Sequence, residues 1–141
     1  MIYLLDTNVL SETMKPRPAA AIAAWMRAQP LRSLFTAALC QAEILAGIAI
    51  LPPGRRRAEL ESMAQAIFSQ DFDGRILPFD AQAAGVYAEL FAGRRQMGRP
   101  IETPDLIVAA TARAHDAAVV TRDIGGFEGC GLTLINPWEA A

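Results

Sequence analysis

The chain has 141 residues, of which 52% are hydrophobic and 20% are charged, and its formal net charge is −2 at neutral pH. This composition excludes a disordered or fibrous protein, and the length predicts a single domain over residues 1–141 with a substantial core. No apolar stretch reaches the roughly 18 residues that cross a membrane, and the N-terminus lacks the basic residues of a signal peptide. We therefore expect a cytoplasmic protein with no membrane partner, in which any contact with nucleic acid depends on local patches of positive charge.

Short apolar runs alternate with helical segments along the chain, starting with a strand at Ile2 to Leu5. After it, in chain order, we predict a helix over 18–28, a strand over 33–37, helices over 38–51 and 55–70, a strand over 75–79, helices over 80–98 and 103–116, and strands over 117–121 and 132–136. Strands that alternate with helices are typical of an α/β fold whose mostly parallel sheet is covered on both faces.

Two acids follow predicted strands directly, and two more lie on predicted helices. Asp6 ends the first apolar run, and Asp123 comes three residues after Val120, so both lie at the carboxyl ends of strands, where α/β folds bind ligands. Asp105 lies in the first turn of its helix, with Thr103 predicted as the N-cap and Pro104 as the first helical residue.

The fourth acid, Glu43, has small and apolar helical neighbours, which favours a partly buried groove, although the side chain could also reach solvent. Each acid by itself has an ordinary structural explanation: a cap, a turn, a helix-dipole charge or a surface residue. Together at the strand ends, however, four carboxylates would repel one another and would be tolerated only with bound protons or a cation.

A cation site built from carboxylates predicts Mg²⁺ or Mn²⁺, because hard oxygen ligands select these ions. His115 is the only histidine, and it lies near a helix end, where a surface or capping role is expected. Cys40 and Cys130 are too few and too far apart for a zinc site, and Cys40 is predicted to be a small buried residue. With no Ser–His or Cys–His pair, the predicted nucleophile is a metal-activated water.

Six segments in this order resemble one known family across nearly the whole chain: LLDTNVLSE, AEILAGI, GRILPFD, PDLIVAATA, VVTRD and INPW. The sequence is similar to the PIN-domain toxins of bacterial type II toxin–antitoxin pairs, the VapC family with its FitB-like branch. The resemblance implies a PIN-like three-layer α/β/α domain with a central parallel sheet. It also implies a homodimer, with larger assemblies left open, and a Mg²⁺- or Mn²⁺-dependent endoribonuclease that a cognate antitoxin inhibits.

Residue by residue, the family's acidic metal ligands fall on Asp6, Glu43, Asp105 and Asp123, which are also the expected catalytic residues. Its supporting amide and its small hydroxyl residue fall on Asn8 and Thr121. Many members carry Asn at the position of Asp123 and Asp three residues later, where this chain has Gly126. The fourth acid is therefore expected at Asp123, as in the FitB-like branch, and Glu43 could be a metal ligand or could orient the attacking water.

An RNA substrate needs positive charge near this acidic site. Arg94, Arg95 and Arg99 precede the helix that carries Asp105 and are candidates for phosphate contact, whereas residues 55–57 more simply form a solvated helix face. One alternative is a catalytically weak PIN domain that acts mainly as a protein- or nucleic-acid-binding module. A haloacid-dehalogenase-like phosphotransferase is disfavoured by Asn8 at the position of its second acid, and a nucleotide-binding module by the lack of a glycine-rich loop.

Overall fold

A five-stranded parallel sheet forms the centre of the protein. The computed structural model describes residues 1–139. The strand order is β3-β2-β1-β4-β5 and all pairings are parallel, which confirms the predicted α/β fold. The strands are β1 (Ile2–Leu5), β2 (Leu34–Ala37), β3 (Ile76–Leu77), β4 (Ala117–Val120) and β5 (Leu134–Ile135).

Helices connect these strands and cover the sheet. They are α1 (Thr7–Thr13), α2 (Ala20–Ala28), α3 (Ala38–Ala49), α4 (Arg55–Ala66), α5 (Ala81–Gln96), α6 (Thr103–Ala114) and α7 (Ile124–Phe127). A 3₁₀ turn at Leu31–Ser33 precedes β2, and a π-helical turn at Ile67–Asp71 continues α4. Within residues 1–139, no helix combines the length and the apolar character that a membrane crossing requires.

Several predicted elements end elsewhere in the structure. Helices α1 and α7 were not predicted, because each is short and begins within a few residues of the end of a strand. The strands predicted over 75–79 and 132–136 shrink to two residues each, since both are edge strands with one neighbour. The helix predicted over 55–70 changes to π geometry at Ile67, whose carbonyl accepts a hydrogen bond from the Phe72 amide at 2.9 Å.

The predicted N-cap of α6 was also wrong by one residue. Glu102 occupies the cap position with extended backbone angles, and Thr103 is the first helical residue. The carbonyl of Glu102 accepts the first helical hydrogen bond, from Leu106 N at 2.9 Å. Pro104 therefore lies at the second position of the helix, where its missing N–H leaves no hydrogen bond unmade. Asp105 remains in the first turn, as predicted.

The chain changes direction across the sheet between β1 and β4, and this point positions the candidate site. From β1 the chain builds outward through β2 and β3 on one side, then returns to place β4 and β5 on the other. Leu5 is in register with Val120, and Asp6 N donates to Val120 O at 2.9 Å. The residues that follow the two strands, Asp6 and Thr121, therefore face each other in a crevice of the kind that binds ligands in open parallel sheets.

Candidate functional site

Asp6 is a buried carboxylate held at the junction of β1 and α1. It is the N-cap of α1, where its Oδ1 accepts from Thr7 N at 2.8 Å, and only 7% of its surface is exposed. Burial raises the pKa of Asp6, and the charge of Glu43 adds to this effect, whereas hydrogen bonds from Thr121 and Thr7 oppose it. The charged residue that ends the first strand thus caps the next helix and also contributes a negative group to the crevice.

The Thr121 hydroxyl is the centre of a hydrogen-bond network at the end of β4. It donates to Asp6 Oδ2 at 2.9 Å and accepts from Asn8 Nδ2 at 3.2 Å and from Asp123 N at 3.1 Å. A hydroxyl has one hydrogen to donate and two lone pairs, so this fully buried group has every hydrogen-bonding position filled. Thr121 thereby fixes the orientation of the Asp6 carboxylate and the backbone that carries Asp123.

The amide of Asn8 joins α1 to the segment after β4. While Nδ2 donates to Thr121, the opposite side of the amide, Oδ1, accepts from Arg122 N at 3.2 Å. One planar group thus ties two segments that are more than a hundred residues apart in the chain. Asn8 and Thr121 are therefore placed where they can orient carboxylates, which is the role that the family resemblance implies for them.

Glu43 lies at the outer side of the site, on α3. Of the two outcomes expected for this side chain, the structure shows the exposed one, although Glu43 also lines an open groove with residues of α1 and α4. The Thr7 hydroxyl donates to Glu43 Oε1 at 2.7 Å, which links α3 to the first turn of α1. An exposed carboxylate keeps an oxygen accessible to solvent, so Glu43 can accept a metal ion, a water or a proton without a change in packing.

Asp105 is a partly buried carboxyl group whose pKa is raised by neighbouring acids. Its pKa is raised to about 6, first by burial, then by the charges of Asp6 and Asp123 and, more weakly, of Glu102 and Glu43. Coulomb interactions fall with distance and with screening, so the charges of Asp6 and Asp123 act on Asp105 more strongly than those of Glu102 and Glu43. Hydrogen bonds link the other three acids: the Thr121 hydroxyl joins Asp6 to the backbone of Asp123, and Thr7 donates its N–H to Asp6 and its hydroxyl to Glu43.

Asp123 is held against the short helix α7. As the N-cap of α7, its Oδ1 accepts from Gly126 N at 3.2 Å. A Cβ atom at position 126 would lie 2.6 Å from Asp123 Oδ2, so a side chain there would displace the carboxylate. The glycine that stands where many family members carry an acid is thus the residue that accommodates the Asp123 carboxylate in its present position.

The donor set suits a hydrated magnesium or manganese ion better than a fully coordinated one. Across residues 1–139, no three Asp, Glu, His or Cys side chains are close enough to coordinate one metal ion together. Mg²⁺ commonly retains several waters and binds through only one or two carboxylates. The acids that raise the pKa of Asp105 supply oxygen donors and unbalanced negative charge, which fits an ion bound partly through water.

The structure assigns different surroundings to the three arginines that were candidates for RNA contact. Arg94 was wrongly expected at the surface: it is 5% exposed, and its guanidinium donates to the carbonyls of Arg99, at 2.8 Å, and of Glu128. It serves as a cross-link between α5 and the loops that follow α5 and α7. Arg95 is exposed and lies 5.9 Å from the ring centre of Phe91, and Arg99 is exposed. For these two, phosphate contact remains a prediction.

Four residues of the site were not predicted from the sequence to belong to it, although Cys40 was correctly predicted to be buried. Thr7 holds Glu43, and Glu102 adds charge beside Asp105. The Cys40 thiol lies 3.8 Å from Asp6 Oδ1, and its pKa is raised to about 12 by burial and by the charge of Asp6, so it remains a neutral S–H donor. Arg122 lies between Thr121 and Asp123. Only its position beside an expected ligand could have marked it as functional.

Comparisons with known proteins agree with this architecture. Residues 3–128 match the PIN domain family. Over 99% of the chain, it is 43% identical to the full length of plasmid stability protein StbB from Pseudomonas syringae and 42% identical to that of VapC ribonuclease Y4jK from Sinorhizobium fredii. A solved structure, FitAB bound to an IR36 DNA fragment, superposes with a TM-score of 0.93 at 35% identity, covering 99% of this chain and 98% of that one. The chain therefore belongs to the PIN domain family, in the VapC-type group with its FitB-like branch.

Proposed function

We propose that this protein is a Mg²⁺- or Mn²⁺-dependent endoribonuclease toxin of a bacterial toxin–antitoxin pair. The observation that carries the proposal is the Thr121 hydroxyl, which donates to Asp6 Oδ2 at 2.9 Å and accepts from Asp123 N at 3.1 Å and so joins acids that follow two neighbouring strands. The raised pKa of Asp105, to which the charges of Asp6 and Asp123 contribute, supports the same site. Repulsion between neighbouring carboxylates destabilises the folded protein unless a cation is bound, and such clusters of acids with perturbed pKa values are common at functional sites. The ribonuclease name of the relative Y4jK, which the chain matches over its full length, supports RNA as the substrate.

Four residues would hold the ion or ions: Asp6, Asp105, Asp123 and Glu43. When bound, a divalent cation supplies a water of lowered pKa as nucleophile and positive charge to offset that on the scissile phosphate. Asp6 is the best candidate for the central ligand, because its strand end, its helix cap and Thr121 all fix its position. Glu43, which accepts a hydrogen bond from Thr7, could serve as a ligand or could orient the attacking water.

The protein's own contribution is to keep these carboxylates in place before substrate arrives. Thr121 orients one oxygen of Asp6, and Asn8 holds the segment after β4 at the correct distance from α1. Preorganised groups need no rearrangement during the reaction. Electrostatic stabilisation of the transition state by such groups is usually the largest single contribution to enzyme catalysis. Asn8 and Thr121 are therefore proposed as positioning residues that do not touch the substrate.

A groove of about 220 Å³ adjoins the acidic site and offers a path for single-stranded RNA. It is lined by Thr7 and Ser11 on α1, by Lys15 just after that helix, and by Arg56 on α4. Glu43 also lines this groove, so it opens beside the acids. Single-stranded or looped RNA is the natural substrate, because the backbone must be accessible for in-line attack.

An antitoxin and a second copy of the chain are the proposed protein partners. Exposed aromatic side chains on and near α5 favour an interface: Tyr87 lies 6.0 Å from Phe79 and 6.3 Å from Phe91, measured between ring centres. Phe79 and Phe91 are 41% and 47% exposed. Aromatic residues are enriched in the buried centres of interfaces. A homodimer, assembled further with an antitoxin that presents a basic side chain to the acids, is consistent with this surface.

The proposed function is tested by comparing the wild type with Asp6→Asn. Total RNA is incubated with Mg²⁺ or Mn²⁺, with and without EDTA, and new 5′ ends are mapped. We expect EDTA to abolish cleavage and Asp6→Asn to reduce it by about 10²-fold or more, with circular dichroism unchanged. Asp73→Asn, a matched change at an exposed acid in a distant turn, should cleave normally. A folded Asp6→Asn protein with wild-type cleavage would contradict the mechanism.

A second candidate is a catalytically weak PIN domain that acts by binding. The observation that favours it is the spacing of the acids, since no three of them within residues 1–139 can coordinate one ion together. Calorimetric titration with Mn²⁺ separates the two functions. An enzyme should bind Mn²⁺ in a manner that depends on Asp6, whereas a binding module should not.

A further inference from the structure

Arg122 is the cation placed closest in the chain to the acidic cluster. It lies between Thr121, which orients Asp6, and Asp123, and its backbone N donates to Asn8 Oδ1 at 3.2 Å. Its main chain is therefore fixed by the same network that holds the carboxylates. The side chain itself is exposed, unlike that of Arg94. An arginine at this position has a backbone that is fixed beside the acidic site and a side chain that is exposed to solvent.

The guanidinium of Arg122 is held over an aromatic ring. Its Cζ lies 4.7 Å from the ring centre of Trp138, which is itself half-buried against the core. Asn136 Oδ1 accepts from Trp138 N at 3.0 Å and fixes the turn that carries the indole. A guanidinium above an aromatic face retains its in-plane N–H donors, which match the oxygens of a phosphate in bidentate geometry.

The carboxylates around Arg122 leave its charge available. Within residues 1–139 it forms no ion pair. Glu12 is close enough for the charge of Arg122 to act on it, but Glu12 Oε1 is paired with Lys15 Nζ at 3.0 Å and its Oε2 accepts from Ala19 N at 3.0 Å. By contrast, Arg55 and Arg57 are paired with acids on α4.

We infer that Arg122, supported by Trp138, binds an RNA phosphate that flanks the scissile bond. This inference rests on the proposed function. A negatively charged substrate entering an acidic crevice needs a cation at its edge, and Arg122 provides one on a preorganised support. Trp138 is a positioning residue in this arrangement, because it acts through the guanidinium and has no separate contact with the strand.

The test measures RNA binding separately from cleavage. In the Asp6→Asn background, the affinity for a fluorescein-labelled single-stranded 12-nucleotide RNA is measured by anisotropy at several salt concentrations. Arg122→Gln should weaken binding about tenfold and reduce the slope of log K against log salt by about 0.7, the value for one phosphate contact on a single strand. Arg122→Lys should keep the slope and show intermediate affinity, since the charge remains but the bidentate donors do not.

The matched control is Arg113→Gln. Arg113 is also exposed, and its loss changes the net charge equally, but it lies in the last turn of α6, at the opposite end from Asp105. In the Asp6→Asn background, Arg113→Gln should leave the RNA affinity and the salt slope equal to those of the Asp6→Asn protein, which is the parent of all these variants. Trp138→Leu should weaken binding in the parent but should have no further effect in the Arg122→Gln protein, because the two residues act as one unit. Thermal unfolding of each variant shows whether a change in binding follows from a loss of fold.

Three outcomes would overturn the inference. The first is an unchanged affinity and slope in Arg122→Gln. The second is an equal loss in Arg113→Gln, which would indicate a non-specific charge effect. The third is an independent effect of Trp138→Leu after Arg122 is removed. If wild-type protein cleaves RNA with Mn²⁺ while any of these results holds, only this inference fails; if the wild type neither binds nor cleaves RNA, the proposed function fails with it.

Discussion

Replacing Thr121 by valine removes one hydroxyl from the centre of the site while keeping the shape of the side chain. The hydroxyl is fully buried and makes three hydrogen bonds: to Asp6 Oδ2, from Asn8 Nδ2 and from Asp123 N. Valine can neither donate nor accept, so each of the three partners loses a hydrogen bond. The change therefore affects α1, β4 and the segment before α7 together.

The expected loss of stability in Thr121→Val depends on whether each hydrogen-bond partner is charged or neutral. A hydrogen bond to an ionised group contributes about 1.5–3 kcal/mol, and a neutral one about 0.5–1.5 kcal/mol. The bond to Asp6 and the two neutral bonds therefore total roughly 2.5–6 kcal/mol. Part is regained where Asn8 and the Asp123 amide reach solvent. We expect the free energy of unfolding to fall by about 3 kcal/mol, a large fraction of the stability of a small protein.

Chemical denaturation in EDTA, followed by tryptophan fluorescence and circular dichroism, measures this loss. Thr111→Val is the matched control, because Thr111 is 1% exposed and its hydroxyl makes a single bond, to the Ile107 carbonyl one turn earlier in α6. That carbonyl also belongs to the helical ladder, so the control should lose about 1 kcal/mol or less. Thr121→Ser should restore most of the stability. If Thr121→Val and Thr111→Val lose equal stability, the hydroxyl is not the centre of the network.

Two further predictions concern the other acids. The folded pKa of Asp105, about 6, exceeds its ordinary value of 3.8, so the metal-free protein loses stability as pH rises from about 4 to 6. Asp105→Asn should therefore raise the free energy of unfolding in EDTA at pH 7 by about 1 kcal/mol, which allows for solvent screening and for the favourable helix dipole. At pH 4 the same substitution should leave the free energy of unfolding almost unchanged. Gly126→Ala should displace the Asp123 carboxylate, cost about 1 kcal/mol through loss of the α7 cap, and weaken Mn²⁺ binding.

Each of these predictions has its own decisive comparison. For Asp105, denaturation curves at several pH values would contradict the reasoning if the asparagine variant were less stable than wild type at pH 7. Gly125→Ala is the control for Gly126, because a Cβ at position 125 has no neighbour within 4 Å. Denaturation and Mn²⁺ calorimetry on both alanine variants should separate them; equal behaviour would show that Asp123 does not depend on the glycine.

Arg94 shows where reasoning from the sequence fails, and Glu43 shows where it leaves two outcomes open. The GRRQMG segment gives no sign that the first arginine points inward, because an α-helix turns by about 100° per residue and neighbouring side chains face different surroundings. Arg94 is buried only because the loop after α7 lies against α5 and supplies the Glu128 carbonyl. Glu43 has apolar sequence neighbours, yet α3 presents it to solvent beside α1. Both outcomes depend on which element packs against a helix, and local composition does not specify that.

The alternation of apolar runs and helical segments was sufficient to predict an α/β fold with a parallel sheet, because hydrophobic periodicity is a local property of a chain. The sequence also identified Asp6, Asp105 and Asp123 as residues at strand ends and in a first helical turn. Strand order and register could not be read from it, since they depend on contacts between residues that are distant in the chain, such as Leu5 and Val120. Only the pairing of Leu5 with Val120 places the Thr121 hydroxyl against the Asp6 carboxylate, and only the folded crevice brings the charges of the acids onto Asp105.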